Sequence, residues 1–496
     1  MSFALTLMCT HCGETYPLNK TLQACPKCKG TINVAYDYEE ARERLNPQEV
    51  GRRGPGVWKY YELLPVFDES KIVSLGEGGT FLHKCNRLAE ELRLRNLFIK
   101  DETTNPTGAF IDRGMTIEVS KAKEFGFRSV CCATTGNLGA SLAAYSAKAG
   151  LKCTVFIPSG VDLGKLYQII AYGADAEPTE NYEEAFSKAA HLTSESYVVA
   201  PSNPFFLEGE KTTGYEICEQ FEWKTPNRII VPMGHGGHIS MIWKAIKELF
   251  SIGFIAETSA MMTGVQAKGC APIVEAYEDN EKTVRPTEKI QTFARDLGVK
   301  NPLQGYLALQ AIKESNGIAI SVSDKQIIDA TKLLAKTEGI FAEPAATSTI
   351  AALKKLLEME KIDRNEKIVC VITGLGLKDP ATARRLVERV RKMEKLIKQA
   401  EERKLTTKLG RTKLCILEIL SSKELYGYGI WKEVKKRCSP IIKIPSIYQH
   451  LNELEMLGLI KRSKAHRTAG KPERFYYILT TKGKEALESL EKLRMY

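Results

Sequence analysis

The region from Ser74 to Lys378 repeats one order of elements, and this repeat limits the folds open to the chain more than any other feature. Short apolar runs such as SVCCATTG and KCTVFIPSG are each followed by a segment with apolar residues at helical spacing. Glycine-containing turns separate the two kinds of segment, as in RIIVPMGHGGHISMIWKAIKEL. Strands that alternate with helices form parallel sheets, whose ligand sites lie at the carboxyl ends of the strands. The sequence therefore predicts an α/β body with a site built from these turns.

Two of the turns have the composition of anion sites. GHGGH, at Gly234–His238, joins a predicted strand to a predicted helix, and TTGN, at Thr134–Asn137, does the same. Glycines at such a turn let backbone N–H groups converge on an anion at the positive end of the helix. Each turn alone is weak evidence, since many glycine turns bind nothing and Asn137 would serve equally well as a helix cap. The body has three glycine-rich strand-to-helix turns, and since such turns in one sheet converge at one edge, together they predict a ligand site.

Four cysteines near the N-terminus form two Cys-x2-Cys pairs, Cys9 with Cys12 and Cys25 with Cys28. This spacing brings four thiolates to one tetrahedral ion, so it predicts structural zinc in a ribbon that spans residues 1–40. A redox pair or two unrelated turns are the alternatives. His11 lies inside the first pair and is expected to be a bystander. Since a four-thiolate site has no open position, the metal is expected to stabilise the fold without doing chemistry.

Length and composition indicate a soluble protein of several domains. The chain has 496 residues, of which 43% are hydrophobic and 26% are charged, and one ordinary core does not accommodate that length. We expect a cytoplasmic protein with no membrane partner, because no run of about 18 apolar residues and no signal peptide are present. Most of the 13 cysteines stand singly in apolar runs, where they are expected to be small buried hydrophobes.

Positive charge is concentrated in the last quarter of the chain. Residues 401–496 hold 21 Lys and Arg against 11 Asp and Glu, a net charge of +10, and residues 381–400 hold seven against two, a net of +5. The total of +11 leaves −4 for residues 1–380. A mildly acidic body with a basic C-terminal part predicts a polyanion partner for that part alone, the alternative being a solvated lysine-rich surface. The stretch 381–405 predicts one long basic helix, either a linker or a dimerisation strut.

Residues 406–496 predict a winged helix-turn-helix. Three short helices precede a basic hairpin and a closing helix. The third helix, Pro445–Leu457, ends before Gly458, which is placed as a C-cap glycine. Its apolar face consists of Ile447, Leu451, Leu454 and Leu457.

The strings GYGI and GKPERFYYILT, with Tyr448 between them, resemble the PadR-type transcriptional regulators. The resemblance implies binding to double-stranded DNA, with the third helix facing base edges and the wing facing phosphates. A winged helix used for protein contact is the alternative. The residues predicted to contact DNA are Ser446, Tyr448, Gln449 and Asn452 on the helix and Lys461, Arg462, Lys464, Arg467, Lys471 and Arg474 in and beside the wing.

The body, residues 41–380, resembles threonine synthase. The ordered strings KDETTNPTGAFIDRGM, ATTGNLGASLAAY, NPFFLEGEKTTGYEI, VPMGHGGHIS, GVQAKGCAPI, AEPAATSTIAAL and ITGLGLKDP carry the resemblance. It implies a two-lobed fold-type II pyridoxal-phosphate enzyme, in which Asn137 meets the phenolic oxygen of the cofactor, the Gly234–His238 turn holds its phosphate and Thr373 faces its pyridine nitrogen. The ligand-binding residues so predicted are Thr107, Thr135, Asn137, Gly234, His235, Gly236, Gly237, His238 and Thr373.

The loop NPTGAFIDRG departs from that family at one position. The family loop resembles NPTGSFKDRG, whose lysine attaches covalently to the cofactor, whereas this chain has Ile111. An isoleucine has no nitrogen to attach and no proton to transfer, so no catalytic residue is assigned. Lys100 and Lys211 do not obviously replace it. Two lesser departures from the family also favour a loss of catalysis: His238 stands where an Asn is common, and Leu375 where a polar residue is common. The alternatives are that another lysine serves an active enzyme, or that the isoleucine replaces a native lysine.

These features together predict a one-component transcriptional regulator. A catalytically inactive body would sense an amino acid, a phosphorylated homoserine-like acid, or pyridoxal phosphate held without a covalent bond. Both parts of the chain resemble families that commonly form dimers, so a homodimer is expected. The first alternative is an active enzyme with an autoregulatory DNA-binding tail. The second is a structural subunit that partners an active relative.

Overall fold

The computed structural model describes residues 2–134, 136–193, 195–387, 409–463 and 475–494. They divide into two compact units, Met1–Leu386 and Val387–Tyr496. Most of the predicted linker, residues 388–405, lies outside the described residues. None of the helices in the described ranges has the length and apolar character needed to cross a membrane.

The first unit begins with a small antiparallel sheet whose strand order is β2-β1-β3. Its strands are β1 (Ala4–Cys9), β2 (Thr15–Tyr16) and β3 (Ile32–Tyr36). Two helices follow it, α1 (Tyr38–Arg44) and α2 (Pro47–Arg52). Leu7, Ile32 and Val34 belong to the same apolar core as the large sheet of this unit. The cysteine-bearing segment therefore packs on the α/β body.

Two further sheets form the body, and they confirm the predicted α/β class. The larger has the order β12-β11-β10-β13-β5-β4, parallel except for β4, and the smaller is parallel with the order β8-β7-β6-β9. The strands are β4 (Phe81–Lys84), β5 (Asn96–Asp101), β6 (Ser129–Ala133), β7 (Lys152–Pro158), β8 (Asp175–Thr179), β9 (Tyr197–Val198), β10 (Arg228–Pro232), β11 (Met261–Ala267), β12 (Ile318–Val322) and β13 (Lys367–Ile372).

Helices cover these sheets and follow the strands at the predicted turns. The turn at Thr134–Asn137 follows β6 and the turn at Gly234–His238 follows β10, so they belong to different sheets, and the expectation that they share one sheet is wrong. The helices are α3 (Asn86–Leu92), α4 (Ile111–Glu124), α5 (Asn137–Ala149), α6 (Leu163–Ala171), α7 (Tyr182–His191), α8 (Pro204–Glu210), α9 (Thr212–Gln220), α10 (Gly237–Ser251), α11 (Pro272–Glu278), α12 (Gly305–Glu314), α13 (Asp324–Glu338), α14 (Pro344–Glu358) and α15 (Pro380–Val387). Short 3₁₀ segments occupy Val57–Leu63, Glu69–Lys71, Glu102–Thr104, Arg295–Leu297 and Gly376–Lys378.

Helix α4 is shared by the two lobes of the body. Met115 and Val119 belong to the core of the four-stranded lobe, whereas Ile117 belongs to the core of the six-stranded lobe. A helix that is apolar on both sides is buried on both sides. The loop that leads into α4 therefore lies where the lobes meet, at the carboxyl end of β5.

The second unit is a winged helix. Its helices are α16 (Arg411–Ser422), α17 (Gly427–Arg437), α18 (Ile444–Met456) and α19 (Thr481–Arg494), and its sheet has the order β14-β16-β15 with β14 (Leu425–Tyr426), β15 (Ile460–Arg462) and β16 (Tyr476–Leu479). Ile447, Leu451 and Leu454 are fully buried and Gly458 has a φ of +69°, as the predicted third helix and its glycine cap require.

Cysteine usage differs between the two units. In the body, cysteines such as Cys132, Cys218 and Cys370 are free and fully buried, which confirms their role as small hydrophobes. In the winged helix, Cys415 of α16 and Cys438 at the end of α17 form a disulfide. The expectation of single buried cysteines is wrong for this pair, because folding brings together two residues that are 23 positions apart.

Candidate functional site

The loop that enters α4 is held from inside by Asp112. Its carboxylate accepts hydrogen bonds from the backbone N–H and the hydroxyl of Thr107, both at 2.7 Å, and from the Ser141 hydroxyl at 2.5 Å. Burial raises the pKa of Asp112, and these hydrogen bonds oppose that shift. Thr107, predicted to bind a ligand, is buried and has its hydroxyl occupied within the loop. The loop is therefore shaped by its own contacts.

Ile111 is the first residue of α4. Its side chain is half-buried and packs against the core of the four-stranded lobe. The preceding residue, Phe110, stacks on His238 with ring centroids 4.2 Å apart, so the Ile111 loop adjoins the Gly234–His238 turn. Phe110 also donates its N–H to the carbonyl of Thr373 at 3.0 Å. Three of the predicted site segments thus meet at Phe110, and the residue that follows it, Ile111, has an alkyl side chain that neither donates nor accepts a proton.

The two lysines considered from the sequence are both tied into ion pairs. Lys100 is fully buried and pairs with Glu216 at 2.6 Å. Lys211 is also fully buried and pairs with Glu208 at 2.5 Å and Glu248 at 3.0 Å. Their ammonium groups neutralise buried carboxylates, so neither is a free amine near Ile111.

A charged cluster gathers around Lys165 beside Asn137. The Lys165 ammonium lies 2.8 Å from an Asp296 oxygen and 3.0 Å from a Glu343 oxygen, with Asp162 at 3.8 Å. Burial lowers the pKa of Lys165, but Asp296 and Glu343 outweigh it and the pKa is raised. The Asn137 amide donates to Glu343 at 3.0 Å and to Asp296 at 3.3 Å. Asn137, predicted to touch a cofactor, thus shares two carboxylates with a firmly protonated lysine.

A second buried lysine borders the same loop. The Lys378 ammonium donates to the Thr107 carbonyl at 2.6 Å and is 3% exposed. Burial lowers the pKa of Lys378, while Glu343 and Asp112 oppose the shift. Lys378 thus differs from Lys165, whose pKa is raised.

The Gly234–His238 turn leaves several buried polar atoms without partners. Gly236 precedes α10 with a φ of +89°, and no side chain caps the helix. Within the described parts of the chain, the side-chain atoms near this turn that lack a hydrogen bond are His235 Nδ1, His238 Nδ1, Glu210 Oε2 and both polar atoms of Gln304. Since buried polar atoms are almost always paired and helix N-termini attract anions, these atoms are available to a bound anion.

Burial keeps the imidazoles of this turn neutral. It lowers the pKa of His235 to about 4 and that of His238 to about 3. The other ring nitrogen of His238 shares a hydrogen bond of 2.9 Å with the Thr213 hydroxyl. A neutral imidazole either donates or accepts at its free nitrogen, depending on the tautomer. The turn can therefore meet an anion with hydrogen-bond donors rather than with cationic side chains.

The structure adds residues that the sequence analysis missed. They are Lys165, Glu210, Asp296, Gln304, Glu343 and Lys378. Several lie in or next to glycine- or proline-containing motif strings, as in EGEK, AEPAAT and GLKDP. That position in the sequence could have marked them as candidate site residues. The predicted ligand residue Thr135 lies outside the described residues.

The four N-terminal cysteines form one cluster. Their sulfur atoms all lie within 4.8 Å of one another, with Cys9 to Cys28 at 3.4 Å and Cys12 to Cys25 at 3.7 Å. Four sulfurs at about 2.3 Å from one zinc ion would be about 3.8 Å apart. The cluster is therefore compatible with tetrahedral zinc. His11 instead packs against Tyr306, with tilted rings whose centroids are 4.5 Å apart.

The predicted DNA-contact residues of the third helix lie on α18. Tyr448 is 43% exposed, Asn452 is exposed, Ser446 is half-buried, and Gln449 donates to Glu453 at 3.1 Å. Lys461 and Arg462 are exposed on β15, where Arg462 pairs with Glu455 at 3.0 Å. The remaining four, Lys464, Arg467, Lys471 and Arg474, lie outside the described residues.

Known protein families match both units of the chain. The model of the family described as pyridoxal-phosphate dependent enzyme matches residues 73–374, and that of the transcriptional regulator PadR-like family matches residues 416–489. Solved structures that share the fold of the body include the processed form of threonine deaminase isoform 2 from Solanum lycopersicum and maize serine racemase. The first has a TM-score of 0.54 at 21% identity and covers 63% of this chain and 88% of its own. The second has a TM-score of 0.53 at 20% identity and covers 64% and 93%.

Among curated proteins, threonine synthases match most of the chain. That of Methanocaldococcus jannaschii is 48% identical over 390 residues, which cover 78% of this chain and 96% of the relative. That of Methanosarcina acetivorans is 42% identical and covers 76% of this chain and 93% of the relative. The chain therefore belongs to the threonine synthase family of pyridoxal-phosphate dependent enzymes and carries a C-terminal domain of the PadR-like transcriptional regulator family.

Proposed function

We propose that the chain is a DNA-binding transcriptional regulator whose threonine-synthase-like body senses a small metabolite and has lost catalysis. The observation that carries the proposal is the alkyl side chain of Ile111 at the start of α4, directly after Phe110, which contacts both His238 and the Thr373 carbonyl. A residue with no nitrogen there cannot attach a cofactor or relay a proton. The fold and the loops of the site are kept, while the lysine amine that would perform the chemistry is absent.

The residues of the site suit the phosphate of pyridoxal phosphate better than its aldehyde. Unpartnered atoms of His238, Gln304 and Glu210 at the uncapped start of α10 support phosphate binding, with Thr107, Asn137 and Thr373 along the rest of the ligand. When bound, the cofactor supplies an electron sink for reactions of amino acids. In this chain we infer that it, or an amino acid or phosphorylated homoserine-like acid, is held without a covalent bond as the effector.

We propose that the winged helix binds double-stranded DNA. The exposed residues Tyr448, Gln449 and Asn452 on α18 support contacts to base edges, and Lys461 and Arg462 support contacts to phosphates. We place the boundaries of the proposed domains at residues 1–40, 41–380, 381–405 and 406–496, with the third as the coupling helix. A homodimer would present two α18 helices to a pseudo-palindromic site.

Structural zinc is proposed for the Cys9, Cys12, Cys25 and Cys28 cluster. The sulfur spacing supports it, and a closed four-thiolate site gives the ion no catalytic position. Its binding energy would be folding energy of the N-terminal sheet.

The function is tested by measuring ligand and DNA binding on the same protein. Metabolites of the three classes are screened by thermal shift, since a ligand stabilises the native chain by RT ln(1 + [L]/Kd). Each stabilising compound is then added to a titration of the chain with DNA from its own promoter region. We expect at least one compound to change DNA affinity severalfold. A chain that binds DNA with the same affinity whatever ligand is present would contradict the sensing role.

The substitution Ile111→Lys tests the loss of catalysis. It returns an amine to the start of α4, so we expect covalent attachment of pyridoxal phosphate, detected by borohydride reduction and mass spectrometry. Little threonine formation is expected, because His238 and Leu375 also depart from the family and proton transfer needs closely placed groups. Full activity of this variant would show that these other departures are harmless.

An active enzyme with a DNA-binding tail is the second candidate, and Lys378 is the observation that favours it. Its buried ammonium contacts the Thr107 carbonyl, and burial lowers its pKa, so it could supply the missing amine. Borohydride treatment of the unmodified chain with pyridoxal phosphate separates the two functions. A reduced adduct on Lys378, lost in Lys378→Met, would support the enzyme, whereas no lysine adduct supports the regulator.

A further inference from the structure

The start of α10 is bordered by a carboxyl group that has no partner. Glu210 is 4% exposed, and its Oε2 atom makes no hydrogen bond with the described residues. That atom lies 3.1 Å from the place where a Cβ on Gly237 would stand, and Gln304 Oε1 lies 3.7 Å from the same place. Gly237 is the first residue of α10, a helix of 15 residues whose N-terminus no side chain caps. An acidic group therefore stands at the end of the helix that attracts anions.

The groups around Glu210 do not neutralise it. The titratable residues of the elements packed against it are Glu208 and Lys211 on its own segment, Tyr36 on β3, Asp112, Arg113, Glu118, Lys121, Lys123 and Glu124 on α4, Tyr215, Glu216, Cys218 and Glu219 on α9, and His238, Lys244, Lys247 and Glu248 on α10. Lys211 and Lys244 pair with Glu208, and Arg113 pairs with Glu102 and Glu216. His238 is neutral at physiological pH, since burial lowers its pKa to about 3. Lys121 pairs with Glu124 and Lys247 pairs with Glu314, and none of the cations in this set forms an ion pair with Glu210.

Burial then decides the protonation of Glu210. It raises the pKa of this carboxyl to about 8, so the group is largely neutral at pH 7. A neutral carboxyl presents an O–H donor, whereas a carboxylate presents only acceptors and a negative charge. In a buried site the repulsion between that charge and a bound anion is only weakly screened. The two protonation states thus have opposite effects on an anion held at the start of α10.

We propose that Glu210 acts as a neutral hydrogen-bond donor in the anion site of α10, so that a phosphate-bearing ligand binds tightly only while Glu210 holds its proton. This rests on the proposed function in one respect, namely that the Gly234–His238 turn receives the anionic part of the ligand. Glu210 thereby sets the pH range over which the body responds to its ligand.

Glu210→Gln is the direct test, because an amide donates a hydrogen bond at every pH. The affinity of the full chain for pyridoxal phosphate is measured by equilibrium dialysis at pH 7.0 and pH 9.5. For the unmodified chain we expect the affinity for pyridoxal phosphate to fall about thirtyfold between these pH values. Each pH unit above the pKa of Glu210 lowers the protonated fraction, and with it the affinity, about tenfold. For Glu210→Gln we expect a change of less than about threefold beyond that of the ligand's own titration.

Glu118→Gln is a matched control. Glu118 is also fully buried, on α4, and burial raises its pKa to about 8, but it does not border α10. Its variant should lose affinity at pH 9.5 as the unmodified chain does. Titration of the ligand is common to all three proteins, so their difference isolates Glu210.

The outcomes separate this inference from the proposed function. An equal loss of affinity at high pH in the unmodified chain and in Glu210→Gln would overturn the role of Glu210 while leaving the ligand site intact. No binding by either protein at any pH would overturn both. If Glu210→Gln fails to fold, proton uptake by the unmodified chain on binding inorganic sulfate at pH 9 decides the matter, because sulfate does not titrate there. About one proton taken up supports the proposal and none overturns it.

Discussion

Two clusters of buried polar side chains flank the first turn of α4, and they differ in how completely they are paired. Arg113 contacts Glu102, Glu216, Thr80 and Thr212 at 2.6 to 3.1 Å, so every nitrogen of its guanidinium is used. At the start of α10, beside Phe110, four side chains have polar atoms with no partner among the described residues.

The difference separates a part of the body whose buried polar groups are fully paired from a part whose polar groups are incompletely paired. A buried network that satisfies itself gains nothing from a ligand, and breaking it leaves an uncompensated charge. A buried group of unpaired donors and acceptors is incomplete until something supplies the missing hydrogen bonds. The Arg113 cluster therefore holds α4 in place, and the α10 cluster is where a ligand would add stability.

The largest expected effect comes from opening the paired cluster. Arg113→Met removes the cation between Glu102 and Glu216 and leaves both carboxylates buried near each other. We expect the free energy of unfolding of the body to fall by about 3–5 kcal/mol. Urea unfolding of the full chain, combined with hydrogen exchange along α4, measures it. A loss below about 1 kcal/mol would show that the cluster does not hold α4 in place.

Acid should open the same cluster without a mutation. Burial raises the pKa of Glu102 and Glu216, but Arg113 outweighs it and both pKa values are lowered. A lowered carboxyl pKa contributes stability that is complete above the unfolded-state pKa and is lost as pH falls through the folded-state value. We expect the free energy of unfolding of the body to fall by about 2–3 kcal/mol between about pH 4.5 and pH 2. Thermal unfolding across this pH range checks the expectation. The control variant Glu210→Gln should lose the same stability in acid. Equal stability at pH 3 and pH 6 would contradict the expectation.

The smallest effect is expected in the unpaired cluster. Gln304→Met introduces the same side chain as Arg113→Met, but at a position in the unpaired cluster. Gln304 is 1% exposed, and its two polar side-chain atoms have no partner among the described residues. Removing unpaired buried groups costs no hydrogen bond, so the free energy of unfolding should stay within about 1 kcal/mol of the parent value or rise. Ligand affinity should fall, in contrast. A loss of stability as large as that of Arg113→Met would erase the distinction between the two clusters.

Local patterns in the sequence predicted the elements but not the partners of their charged residues. The glycine turns before α5 and α10, the third helix of the winged helix (α18) and the cysteine pairs of the N-terminal sheet are all set by residues within a few positions of one another. The Lys165 ammonium, in contrast, meets Asp296 and Glu343 from distant segments. Nothing in the string GKLYQ marks its lysine as buried, because burial depends on how the lobes pack.

The sequence by itself determined the α/β body, the winged helix and the absence of an amine at position 111, since periodicity, spacing and side-chain identity are properties of the chain alone. Only the tertiary structure decided that Lys378 borders the Thr107 loop and that Cys415 reaches Cys438. It also decided that Glu210 stands unpaired beside Gly237. The physical reason is that solvation and pairing of a polar group depend on which distant segments enclose it, and the free energy of a buried charge follows from that enclosure.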